Sequence, residues 1–158
     1  MYDFNADEIY QMAEQLERNG SEFYRKSAEA TALPEESALL LKLAAMENEH
    51  AKTFQTMRSE LGDLERSATA FDPEGEALRY LRALADTRVF FEKKIDISSM
   101  TEILKAAIEA EKESIVFYLG MREAVPGKLG KSRLDDIIKE EMGHIRLLSR
   151  ELVQHKDQ

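Results

Sequence analysis

Six residues of this chain have the types and spacing to hold a pair of metal ions. Glu17 is followed by Glu47 and His50, and Glu111 is followed by Glu141 and His144. The steps are 30 and 33 residues in both sets, and one shift of 94 carries the first set onto the second. A Glu plus a Glu-x-x-His, given twice, is the donor inventory of a dinuclear site inside a four-helix bundle. Four inward carboxylates balance two divalent cations, and neutral imidazoles add nitrogen donors without changing that count. Glu and His ligation without thiolate suits Fe or Mn, with Zn as another occupant such donors accept. The expected division gives Glu17 and His50 to one ion and Glu111 and His144 to the other, with Glu47 and Glu141 bridging. A single Glu-x-x-His is common on helices, and an inward His is often a hydrogen-bonded core residue. The duplication carries the metal reading. Tyr24 and Tyr118 lie seven residues after Glu17 and Glu111, two turns along the same face. They are candidates to hydrogen-bond the ligand carboxylates; the alternative is a pair of core aromatics with the hydroxyl near an edge.

Helical periodicity supplies the elements that must position these groups. Ile9, Met12, Ala13, Leu16, Gly20, Phe23 and Ser27 form one stripe at three- and four-residue steps, and Leu39, Leu43, Met46, His50, Phe54, Met57 and Leu61 a second. Leu104, Ala107, Ile108, Ser114, Ile115 and Tyr118 form a third, and Leu134, Ile137, Ile138, Ile145, Leu148 and Leu152 a fourth. Long helices are expected near 5–31, 35–61, 99–124 and 131–154. Pro34 separates the first two, and Pro126-Gly127 with Gly130 the last two. Short turns imply two antiparallel hairpins. At about 1.5 Å per residue, the three donors of each hairpin reach the same height, roughly 20–25 Å from its turn. The methionines Met12, Met46, Met57, Met100, Met121 and Met142 read as core filler. Glu35-Glu36 and Asp135-Asp136 read as solvated helix-start charges, and the tail from Gln154, with His155, as a frayed end without a role.

The segment 62–98 is long enough to run the length of a bundle and resembles the crossover connection of ferritin-like folds. The expectation is one all-α domain over 1–158: hairpin 5–61, crossover 62–98 and hairpin 99–154. The repeat extends past the donors. Ile9, Ala13, Phe23, Tyr24, Glu29, Ala30 and Leu40 match Ile103, Ala107, Phe117, Tyr118, Glu123, Ala124 and Leu134 without a gap.

Composition narrows the class. A chain of 158 residues, 43% hydrophobic and 34% charged, suits one helical domain. The net charge of -9 repels nucleic acid and leaves no polybasic segment for a membrane surface. No apolar run approaches the roughly 20 residues that span a bilayer. The first residues show no basic region followed by an apolar stretch, so the expected compartment is the cytoplasm. With no cysteine there is no disulfide, zinc finger or iron–sulfur centre.

Leu16-Glu17-Arg18-Asn19-Gly20-Ser21-Glu22-Phe23-Tyr24, Glu47-Asn48-Glu49-His50, Glu111-Lys112-Glu113-Ser114-Ile115-Val116-Phe117-Tyr118 and Glu141-Met142-Gly143-His144 together resemble the rubrerythrin family of the ferritin-like superfamily. The resemblance covers nearly the whole chain. It implies a non-haem di-iron centre that reacts with hydrogen peroxide or dioxygen, and a homo-oligomer, with a dimer as the expected assembly. Two departures stand out. Rubrerythrins proper carry a rubredoxin domain with an Fe(Cys)4 site; this sequence has no cysteine, so the electron donor is expected to be a separate protein. They also carry an extra Glu one turn after the first ligand of the third helix, and Ser114 holds that position here. The remaining set of four Glu and two His is similar to that of bacterioferritin-type ferroxidase centres. Three functions therefore compete: a di-iron oxidoreductase, a ferroxidase or iron-storage protein, and a metal-stabilised structural or sensor module without turnover.

Overall fold

Among the described residues there are four long helices, α1 (Ala6–Ala30), α2 (Pro34–Ser59), α3 (Met100–Ala124) and α4 (Lys128–Lys156), and residues 76, 79–81 and 83 are helical as well. The structure, a computed structural model, describes residues 6–62, 76, 79–81, 83, 97–125 and 127–156, with the side chains of all but 128, 129 and 156. Helices α1 and α2 pack along their lengths as one antiparallel hairpin, and α3 and α4 as another. The hairpins meet through α1 against α3 and α2 against α4. None of the described helices is long and apolar enough to cross a membrane.

The helix ends follow from local chemistry. Pro34 occupies the first turn of α2, where its missing N–H costs nothing. Ser99 caps α3 by accepting the Glu102 N–H, the Ser-x-x-Glu arrangement of a capping box. The α3–α4 turn is made by Gly127, whose φ of 80° favours glycine. Gly130 does not break the chain as its type suggested: it lies inside α4, which begins at Lys128. A Cβ at Gly130 would stand 3.2 Å from the Tyr10 hydroxyl, so this glycine serves close packing against α1. At the other end α4 continues to Lys156, beyond the expected end. His155 is not idle. Its Nε2 lies 2.7 Å from Glu36 Oε1, which ties the end of α4 to the start of α2 and leaves Glu36 mostly covered. Asp135 is likewise an ion-pair partner, 2.7 Å from Arg122, because α4 starts two turns before it.

Two apolar clusters fill the bundle at different heights. One joins the start of α1 (Ile9, Ala13), the end of α2 (Phe54, Met57), the end of α3 (Phe117, Tyr118, Met121) and the start of α4 (Leu134, Ile138). The other joins the opposite ends through Tyr24, Leu40, Leu43, Ile103, Leu104 and Leu148. The chain therefore leaves α2 at one end of the bundle and enters α3 at the other, as a crossover requires. Most of the expected crossover, 63–75 and 84–96 included, lies outside the described residues, as do 1–5 and 157–158. Of that segment, Leu81 is buried in the first cluster, and Tyr80 donates a hydrogen bond to the Val116 carbonyl on α3. Among the methionines, Met57 and Met121 are core residues, Met12 and Met100 pack against the clusters, and Met142 is 54% exposed. Met142 follows the inward Glu141, and a step of about 100° around the helix points it outward.

Candidate metal centre

Between the two apolar clusters lies a charged layer. Glu17 from α1, Glu47 and His50 from α2, Glu111 from α3, and Glu141 and His144 from α4 are all buried, none more than 4% exposed. Their donor atoms form two overlapping groups. Glu17, Glu47, His50 and Glu141 make one, and Glu47, Glu111, Glu141 and His144 the other. Within each group one donor atom per residue lies within 4.8 Å of every other. Glu47 and Glu141 belong to both groups, so these are the carboxylates placed to bridge. All six residues singled out by the duplicated spacing are brought together.

Each imidazole turns Nδ1 inward. His50 Nδ1 is 2.9 Å from Glu141 and 3.4 Å from Glu17. His144 Nδ1 is 3.1 Å from Glu47, 3.3 Å from Glu111 and 3.4 Å from Glu141. The rings stack across the layer with centroids 5.8 Å apart. Glu17 Oε2, Glu47 Oε1, Glu111 Oε2, both Glu141 oxygens and the two Nδ1 atoms are buried with no hydrogen-bond partner among the described residues. So many unsatisfied donor atoms aimed at one space are costly unless a cation fills it. A pair of divalent ions fits this set in number, charge and donor type.

The two tyrosines close the layer from opposite sides. Tyr24 donates to Glu111 Oε1 at 2.6 Å, and Tyr118 donates to Glu17 Oε1. Each reaches across to the carboxylate of the other hairpin, and Tyr24 belongs to one apolar cluster and Tyr118 to the other. Burial, then the charge of nearby carboxylates, pushes both phenols well above their ordinary value, so they are neutral donors. Ser114 is buried, and the repeat pairs it with Gly20. A Cβ at Gly20 would sit 3.0 Å from Glu47 Oε2, so this glycine leaves room for that carboxylate.

Without metal the layer holds protons. Burial and the charge of Glu17 raise Glu47 and Glu141 well above the carboxylate range. For Glu17 burial acts the same way, but its neighbours Glu47 and His50 and the hydrogen bond from Tyr118 outweigh it and lower the group. Burial lowers His50 and His144, yet their carboxylate partners prevail: His50 is raised, and His144 reaches about 10. Metal binding must displace these protons.

One further residue escaped the sequence reading. His50 Nε2 lies 2.5 Å from Glu140 Oε2. The signal was an acid directly before Glu141, but the partner it meets stands on another helix.

The same architecture occurs in a Thermotoga maritima protein described as ferritin-like and diiron-carboxylate. The structures align with a TM-score of 0.73 and 23% identity over 98% of this chain and 99% of that one. At that identity the likeness establishes the ferritin-like fold. No curated protein sequence matches the chain. A rubrerythrin family model matches residues 8–152, so the chain belongs to the rubrerythrin family.

Proposed function

We propose that this protein is a di-iron oxidoreductase that reduces hydrogen peroxide or dioxygen with electrons from a separate donor protein. The observation that carries this reading is the buried layer of unsatisfied Glu and His donors, divided into two groups that share Glu47 and Glu141. Glu17, Glu47, His50 and Glu141 would hold one ion and Glu47, Glu111, Glu141 and His144 the other. Two iron ions held there would supply the two electrons that peroxide reduction needs. The chain does the rest. The apolar clusters on both sides exclude bulk water. Tyr24 and Tyr118 hold Glu111 and Glu17 in orientation by donating hydrogen bonds to them. Reduction of one peroxide to two waters takes two electrons and two protons. The working assembly is a cytoplasmic homodimer, and neither nucleic acid nor a membrane is a partner.

The test is anaerobic loading of metal-free protein with ferrous iron, then stopped-flow absorbance on adding peroxide. Uptake of two irons per chain, with oxidation complete at one peroxide per pair, is expected. Slow oxidation by peroxide, together with rapid oxidation by dioxygen and a shell-sized native mass, would replace this reading with ferroxidase and storage. Ser114, in place of the extra rubrerythrin carboxylate, is the feature that favours that second reading. Tight binding with no oxidation by either oxidant would leave a structural or sensor role.

A further inference from the structure

The repeat that relates the two hairpins is kept at all six donors and at both tyrosines, and it fails where one imidazole is supported. His50 and His144 both turn Nδ1 inward, so a metal at Nδ1 requires the proton on Nε2. For His50 that outer nitrogen meets Glu140 at 2.5 Å. A carboxylate accepting this proton fixes the tautomer and the ring orientation and makes the inner nitrogen a stronger donor. For His144 the outer nitrogen is buried and has no hydrogen-bond partner among the described residues. The shift of 94 that equates His50 with His144 equates Glu140 with Met46. A thioether is a weak acceptor and carries no charge. Glu140 is half exposed, yet the imidazole it meets is buried, so the contact orients a group that has little freedom left.

We propose that the two metal positions are unequal and that Glu140 makes them so. As the positioning residue for His50, it renders the Glu17–Glu47–His50–Glu141 position the tight one, filled first. The His144 position is the weak one, and its ion exchanges. This rests on the dinuclear reading above. It goes further in assigning an order of filling, and it places the exchangeable ion beside Glu111.

The test uses metal-free full-length protein and Mn²⁺, with free ion counted by electron paramagnetic resonance and heats measured by calorimetry. Each histidine is removed in turn, so that the two positions are read separately. His144→Ala should keep one ion at close to the first-step affinity of the wild type. The ion kept by His50→Ala should bind roughly 10–100-fold more weakly, the usual effect of a supporting partner on metal affinity. Adding Glu140→Ala should weaken the ion of His144→Ala by a similar factor and leave that of His50→Ala unchanged. Glu140→Gln keeps an acceptor and should recover part of the loss. Met46→Glu should tighten the second step of the wild type. Equal affinities in the two histidine variants, or a Glu140→Ala loss shared by both, would overturn the inference while the dinuclear reading stands. Equal losses for Glu140→Ala and Glu140→Gln would reduce Glu140 to a charge and overturn its positioning role. Wild-type protein that takes up fewer than two ions would overturn the dinuclear reading and this inference with it.

Discussion

Removing the metal should reverse the sign of the protein's pH dependence of stability. In the metal-free chain His144 is driven down by burial but raised to about 10 by the Glu111 and Glu47 carboxylates beside it, against 6.5 for an unperturbed histidine. A folded-state pKa above the unfolded one gives stability that is fully present below 6.5 and lost as pH rises towards 10. At 1.36 kcal/mol per unit the whole contribution is roughly 4–5 kcal/mol, and about 3 kcal/mol of it disappears between pH 6 and pH 9. The raised groups His50, Glu47 and Glu141 act with the same sign. Glu17, being lowered, has the opposite sign, but its contribution is complete well below pH 6 and adds nothing across this window. For a chain of this size 1 kcal/mol moves the melting temperature about 2–4 °C. Metal-free protein should therefore melt roughly 6–12 °C lower at pH 9 than at pH 6. Loaded protein should behave the other way, because its ions compete with those same protons and bind more tightly as pH rises. Scanning calorimetry of chelator-stripped and Mn²⁺-loaded protein at constant ionic strength measures both curves. Metal-free protein that is as stable at pH 9 as at pH 6 would refute the proton-holding layer. A gap between the two forms that does not widen with pH would refute the competition.

Four further outcomes follow from the same geometry. Tyr118→Phe leaves a buried Glu17 oxygen without its donor and should cost about 1–3 kcal/mol in the metal-free protein, with Tyr24→Phe acting likewise through Glu111; thermal melts measure both. Gly20→Ala adds about 0.5–1 kcal/mol of helix propensity, but Glu47 must shift to admit the Cβ, so the net gain in metal-free protein should fall below that amount. Its Cβ would crowd Glu47 Oε2, so the added stabilisation on Mn²⁺ loading should shrink; a pair of melts shows whether the two effects part. Glu141→Ala removes a carboxylate shared by both donor groups, and elemental analysis after ferrous loading should find at most one iron per chain. Ser114→Glu places a further acid in a buried site, so metal-free protein should melt lower while stopped-flow oxidation of the loaded form by peroxide should quicken.

The sequence showed the donors because metal binding demands fixed chemical types at fixed helical steps, and here the steps come twice. The hairpins were legible from the same periodicity, since Glu17, Glu47 and His50 had to stand at one height from the turn at Pro34. What spacing on a single helix cannot tell is which foreign helix a side chain will meet. Tyr24 and Tyr118 were placed near ligand carboxylates, but only the packing of α1 against α3 shows that each serves the other hairpin. Glu140 stayed hidden for the same reason: its partner is on α2, while its own helix offers only the neighbouring Glu141. Gly130 was misread as a break because a glycine has one letter for two uses, a turn and a close approach, and the Tyr10 hydroxyl that decides between them is distant in sequence.

The layering explains how the bundle tolerates six buried ionisable groups. Each apolar cluster draws residues from both hairpins: Ile9, Phe54, Met121 and Leu134 on one side of the layer, and Leu40, Leu43, Leu104 and Leu148 on the other. The hairpins are therefore docked by hydrophobic burial above and below the charges. A small zinc module is the opposite case, because its metal supplies the folding energy outright. In this protein bound ions would act more narrowly, neutralising carboxylates held between the two apolar clusters. The donors themselves follow the repeat, whereas Glu140, which meets His50, has Met46 at the equivalent position of the other hairpin.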